Sequence, residues 1–257
     1  MINIQSKVAG RIGTITLNRS EKRNALNHEM VSELHSAFDQ LEKDESVKII
    51  VLKATGSAFC AGADLEYLQS LQNFSRQENV ADSQHLKELF LKIYTLQKVV
   101  IAQVQGHAIA GGCGLAGVCD FVYAVPDAKF GYTEVRIGFV PAIVMFFLLR
   151  KIGEGHSRQL LLSGDLITAA YAAQVGLISK VVNNEDLESS VHAFASHLIE
   201  SNSSQALLAT KNMLANIQSL TLEDALTYAV EMNASARATA DWRKGVGAFL
   251  RKEDVTW

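Results

Sequence analysis

The 257-residue chain is predicted to fold as an α/β domain with parallel crossovers to about residue 180, followed by a helical C-terminal portion. Strand-like and helix-like segments alternate three times by residue 125, the rhythm of strands joined by helical crossovers. From Thr168 onward nearly every segment carries helical periodicity instead. A hydrophobic content of 48% is enough for one full core, or a core with a helical annex.

Taken in order, Ile2 to Val8 and Arg11 to Leu17 alternate around Ala9-Gly10 and read as a β-hairpin. Asn18 to Asn24 is polar and turn-rich. Asn27 is a good N-cap, after which Met30, Leu34, Phe38 and Leu41 recur at helical spacing. Val47 to Lys53 is a buried strand, Ala54 to Gly62 a loop of small residues, and Ala63 to Leu68 the start of a helix. The polar, unperiodic stretch Leu71 to Asp82 reads as a mobile surface segment, and Leu86, Leu89, Phe90, Ile93 and Leu96 mark the next amphipathic helix. A strand over Val99 to Gln105, a glycine turn, a short helix and a strand over Phe121 to Val125 follow. Beyond Thr168, helices are expected over Ala169–Val175, Glu185–Glu200, Ser204–Asn216, Leu222–Ala238 and Asp241–Arg251, interrupted by a strand at Leu177–Val182.

Composition narrows the function. A net charge of −3 with no long basic run implies neither nucleic acid nor an anionic membrane as partner. No apolar run reaches the roughly 20 residues of a membrane span, and Met1 to Gln5 alternates like a strand, so a cytoplasmic protein is expected. Cys60, Cys113 and Cys119 lack zinc-site spacing; they read as reduced, buried thiols, and no metal is expected.

Two turns of small residues carry the chemical signal. Ser57 to Asp64 follows one strand, and Gly106 to Ala116 follows another. Such turns let backbone approach a ligand closely, and together they can aim two N–H groups at one developing oxyanion. Glu134, between apolar residues and the glycines 131 and 138, is placed for partial burial, which raises a carboxyl pKa toward the range of a general base or acid. The bland readings are close packing for the turns and a structural pair with Arg136 for the glutamate.

The ordered set Asn18–Leu26, Phe59–Leu65, Gly106–Asp120 and Phe130–Pro141, with the tail Ala240–Leu250, closely resembles the crotonase family of enoyl-CoA hydratases and isomerases. The resemblance spans essentially the whole chain. It implies a β-β-α spiral core with the acyl-CoA site over residues 1–180, and a helical trimerisation region over 181–257. It also implies homotrimers or dimers of trimers, an acyl thioester of coenzyme A as substrate, and no separate cofactor. Position by position, the two oxyanion amides fall on Ala63 and Gly111, and the acid/base on Glu134. Substrate and coenzyme A contacts fall on Arg23, Ala25, Ala61, Asp64, Leu65, Gly112 and Thr133. Arg23 offers a phosphate its fork of donors, while Asp64 is also suited to capping the helix that follows.

One departure bears on the reaction. Family hydratases usually carry a first glutamate three residues after the oxyanion glycine, and here that position is Gly114. A single carboxylate fits hydration of an α,β-unsaturated acyl-CoA, straight or branched, by Glu134. It equally fits a Δ3,Δ2-enoyl-CoA isomerase using Glu134 alone, and a non-catalytic acyl-CoA-binding relative is the third reading. The stretch Gly131–Ala142 looks like bacterial hydratases of branched acyl-CoAs such as methylglutaconyl-CoA. The apolar run Ala142–Phe147 is expected to wall the acyl pocket or pack in the core. A glutamate restored at 114 is expected to raise hydration where that vacancy limits the rate.

Overall fold

The computed structural model describes residues 1–257. β1 (Ile4–Ala9) and β2 (Ile12–Leu17) pair antiparallel through Gly10 and Arg11, both left-handed at φ 56° and 70°, as a two-residue turn matched to strand twist requires. α1 (His28–Lys43) starts where the Asn27 side chain accepts from the Met30 N–H, and it buries Met30, Leu34, Phe38 and Leu41. The chain then repeats one unit: a strand of a large sheet, a short strand of a small sheet, and helix.

The first unit is β3 (Ile49–Ala54), β4 (Ala58–Cys60), α2 (Leu65–Leu71) and α3 (Arg76–Thr95). The second is β5 (Val99–Val104), β6 (His107–Ile109) and α4 (Gly111–Gly117). The third is β7 (Phe121–Ala124), β8 (Lys129–Gly131) and α5 (Ala142–Ser163). β9 (Ile167–Thr168), α6 (Ala169–Gln174) and β10 (Lys180–Val181) close the winding. The large sheet has the order β1-β2-β3-β5-β7-β10 and the small one β4-β6-β8-β9. All pairings are parallel except the hairpin and β8 with β9. This is the β-β-α spiral expected from the resemblance.

α7 (Leu187–Ser201) lies on the large sheet, where Leu187, Val191 and Ala195 join the same core as β5 and β7. α8 (Ser204–Ile217), α9 (Leu222–Arg237) and α10 (Ala240–Arg251) leave much apolar surface uncovered, including Leu214, Leu222, Leu226, Val230, Phe249 and Leu250. No helix is long and apolar enough to cross a membrane.

Three local expectations are corrected. Leu71 to Asp82 is not a loop throughout: α3 already begins at Arg76, behind a capping box in which Ser75 Oγ accepts from the Glu78 N–H and Glu78 accepts from the Ser75 N–H. Its first turns face solvent and a cavity, so no apolar stripe announces them. The stretch Ala54–Gly62 likewise contains β4, a three-residue strand too short for alternation to show. The strand expected over Leu177–Val182 pairs only at Lys180 and Val181.

Candidate active site

Gly62 and the entry to α4 bring the two small-residue turns together. A β-carbon at Gly62 would lie 2.9 Å from Ala110 Cβ, 3.0 Å from Ile109 O and 3.5 Å from Gly111 N, at a φ of 93° that favours glycine. Leu26 flanks Ala63 in a parallel bridge, its N–H donating to Gly62 O at 2.7 Å and its carbonyl accepting from Asp64 N at 2.8 Å. That pattern turns the Ala63 N–H to the opposite side, where it donates to no group of the protein.

Gly111 is the first residue of α4, whose opening N–H groups have no carbonyl within the helix to receive them. Its N-cap, Ala110, has no capping side chain and sits at φ 51°, ψ −125°, a backbone conformation costing on the order of 1–3 kcal/mol in a non-glycine residue. A hydrogen bond from Ala110 N to Gly131 O, 2.7 Å, ties this turn to β8.

β8 delivers the third group. Glu134 opens a 3-10 turn over Glu134–Ile137, is 8% exposed, and its Oε2 is buried without a hydrogen-bond partner. Burial raises its carboxyl above the ordinary glutamate value. Arg136 does not pair with it; that guanidinium goes to Asp165 at 2.7 Å. Ala63, Gly111 and Glu134 line one cavity of about 370 Å³, with Ala61, Leu65 and Thr133 beside them. Val31, Leu68, Leu71, Leu86, Ile143 and Val144 form apolar wall. The run from Ala142 therefore serves both expected purposes: its first residues face the cavity, and Phe147 and Leu148 enter the core.

The other named positions are placed as follows. Arg23 is exposed in left-handed conformation, and its carbonyl accepts from Ala61 N at 3.1 Å, joining the segments 22–25 and 61–65. Ala25 is buried, its carbonyl bound by Arg19 Nη1. Gly112 is packed so tightly on β4 that a β-carbon would fall 2.2 Å from Cys60 O.

Asp64 caps α2 by accepting from Glu66 N and Tyr67 N, and its Oδ2 meets Arg19 Nη1 at 2.7 Å. Burial pushes this carboxyl up, but the two amides and the guanidinium more than offset it and hold it below the ordinary aspartate value. Such a carboxylate stabilises the fold above its unfolded pKa, and the contribution is lost as pH falls through the folded one. Asp64→Ala is expected to cost about 1–3 kcal/mol at neutral pH, read as a lower urea midpoint, with the gap closing in acid. An unchanged midpoint at neutral pH would refute the bracing role.

Three polar residues of the cavity escape the sequence reading: His28, Asp82 and His85. Asp82 accepts a hydrogen bond from the Tyr67 hydroxyl, and His85 stacks between His28 and His35. Asp82, Leu86 and Phe90 follow one another at four-residue spacing, so extending the apolar stripe of α3 back by one turn would have reached Asp82. Gly114 is closed off: a β-carbon there would lie 2.2 Å from Val144 Cγ1 and 3.0 Å from Phe90 Cε1. A larger, open cavity of about 890 Å³ lies among α8, α9 and α10. It has no free catalytic group: Lys211 Nζ is bound to Ile93 O, Lys98 O and Asp120.

Comparison with known proteins gives a consistent picture. The family model described as enoyl-CoA hydratase/isomerase matches residues 7–257. A putative enoyl-CoA hydratase of Thermus thermophilus is 39% identical over 243 residues, covering 95% of this chain and 96% of that protein. A crotonyl-CoA hydratase of Syntrophomonas wolfei is 32% identical, covering 99% and 97%. The crystal structure of an enoyl-CoA hydratase from Mycobacterium smegmatis superposes with a TM-score of 0.93 at 30% identity, covering 99% of this chain and 98% of that one.

Proposed function

We infer from this chain's membership of the enoyl-CoA hydratase/isomerase family that it adds water across the double bond of an α,β-unsaturated acyl-CoA, with Glu134 as acid and base. The observation that carries this is one cavity lined by a buried, unpaired carboxylate oxygen and by Ala63 and Gly111, whose backbone amides have no partner in the protein. The thioester oxygen fits between the Ala63 and Gly111 N–H groups. Charge moving onto it as water attacks C3 becomes an enolate, stabilised by donors that need no reorganisation. Glu134 takes a proton from the attacking water and returns it to C2, so the elements of one water are added and the carboxylate is regenerated. Arg23 and Ala25 with Ala61, Asp64 and Leu65 supply the coenzyme A side, largely through backbone, and Gly112 and Thr133 support the acyl side. Coenzyme A is part of the substrate, and no further cofactor is required by these steps.

The closure of Gly114 by Val144 favours a second reading. With one carboxylate, a 3-enoyl-CoA can lose a C2 proton to Glu134 and regain it at C4, which is isomerisation. Ultraviolet absorbance of the conjugated thioester separates the two. Its loss from crotonyl-CoA supports hydration, and its appearance from 3-hexenoyl-CoA supports isomerisation. If neither signal moves at high enzyme concentration while acyl-CoA still binds, both are refuted in favour of a binding protein.

The uncovered apolar residues of α8–α10 support self-assembly, which we propose takes the form of a homotrimer or dimer of trimers; the cytoplasm is the proposed location. Light scattering should give three or six times the chain mass. A Phe249→Asp, Leu250→Asp variant should give a smaller species, and an unchanged mass would exclude this face.

A further inference from the structure

The cavity has a polar end that the hydration chemistry does not use. Tyr67 on α2 donates its hydroxyl to Asp82 Oδ1 on α3, and His28 Nδ1 on α1 lies 3.9 Å from the same oxygen. All three line the cavity, with His85 beside them. His85 Nε2 is engaged by Ser32 Oγ at 2.9 Å, and its ring lies tilted at 4.6 Å from that of His28 and stacks at 4.9 Å on that of His35. Hydrogen bonds and ring contacts between three helices build this corner.

Its position sets it apart from the reacting atoms. Phe90, eight residues after Asp82, touches the closed-off Gly114, and eight residues of helix span about 12 Å. Tyr67 lies four residues beyond Ala63, in the first turn of α2. The polar group therefore stands about two turns of α3 away from the site of the missing carboxylate, within the cavity that Ala63, Gly111 and Glu134 line.

Its chemistry is acceptor-rich. Tyr67 directs its hydroxyl hydrogen at Asp82, which leaves its oxygen lone pairs and the second Asp82 oxygen as acceptors. Burial, then the hydrogen bond to Asp82, raises the Tyr67 phenol, which stays a neutral donor. Burial and the neighbouring imidazoles lower His85, which opposes its becoming a cation. No lysine or arginine lines the cavity.

We propose that this site selects acyl groups carrying a neutral hydrogen-bond donor, a hydroxyl, at the end away from the thioester, read by the Tyr67–Asp82 pair, and that it rejects acyl groups ending in a carboxylate. The proposal rests on the acyl-CoA reading of the same cavity. A distal hydroxyl donates to Asp82 or Tyr67; an alkyl end displaces water from these half-buried acceptors without replacing its hydrogen bonds, and a carboxylate meets Asp82 as a like charge.

Calorimetric binding of saturated thioesters tests this without requiring turnover. In the full-length protein, 6-hydroxyhexanoyl-CoA should bind at least tenfold tighter than hexanoyl-CoA, and adipoyl-CoA at least tenfold weaker than hexanoyl-CoA. Tyr67→Phe and Asp82→Asn should each shrink the hydroxyl-to-alkyl ratio toward one, and Asp82→Asn should also narrow the penalty on adipoyl-CoA. Equal or tighter binding of adipoyl-CoA by the unsubstituted protein overturns the proposal, as do ratios that stay unchanged in folded variants. Crotonyl-CoA turnover is measured in parallel. If it is absent while the predicted ranking holds, the hydration reading fails and this one stands. If no CoA ester binds, both fail.

Discussion

Glu134→Gln is expected to lower kcat for crotonyl-CoA by about 10²–10⁴-fold, the usual scale for a lost general acid/base, and to leave thioester affinity nearly unchanged. That loss corresponds to about 3–5 kcal/mol of transition-state stabilisation. The substitution keeps the shape of the side chain and removes only its ability to exchange a proton. Stability should move the other way. Because burial raises the folded-state pKa above the unfolded one, the group's favourable contribution is present below the unfolded pKa and is lost as pH rises through the folded pKa. At neutral and alkaline pH the Gln variant should therefore melt at the same temperature as the parent or higher, and the benefit should vanish in acid. Activity of the parent should fall as pH drops through the raised Glu134 value, on a limb above the ordinary glutamate range, and the variant should lack that limb. A near-normal rate in the variant would remove Glu134 from the mechanism. A lower melting temperature at neutral pH would instead mean that the carboxylate is structurally engaged.

The divide between what the sequence shows and what it hides follows physical size. Long elements with one apolar face announce themselves: Met30, Leu34, Phe38 and Leu41 mark α1, and the hairpin shows in alternation. The second sheet does not, because β4, β6 and β8 are three residues each, too short for alternation to show. Its presence entered only through the family resemblance. The two amides were legible as glycine-rich turns, but their convergence depends on Gly62 letting Ala110 approach, which spacing cannot express. Glu134 stood out for its apolar neighbours, and the structure adds that one of its oxygens is buried and unpaired. Asp82 was hidden for the opposite reason: its helix turn faces a cavity and solvent, so the segment looked featureless.

From the sequence alone, Gly114→Glu raises hydration where the vacant position limits the rate. The packing reverses that expectation. A β-carbon at 114 meets Val144 Cγ1 at 2.2 Å and Val144 Cβ at 2.9 Å, and Phe90 closes the remaining side at 3.0 Å. Val144 belongs to the first turn of α5 and is buried, so it cannot swing into solvent. The substitution adds overpacking, worth about 1–3 kcal/mol, to a carboxylate whose burial costs several more unless it is paired. The single variant should lose about 3–5 kcal/mol of stability, on the order of 10 °C in Tm for a chain of this size, with hydration unchanged or lower. Gly114→Glu with Val144→Gly supplies the missing space and should recover part of that loss. Hydration in the double variant should exceed that of the single one, because the new carboxylate can then reach the cavity that Val144 lines. A single variant that is both as stable as the parent and faster would show that Val144 does not close the position. A double variant that folds well but hydrates no faster would show that one carboxylate already does all the proton transfer this cavity needs.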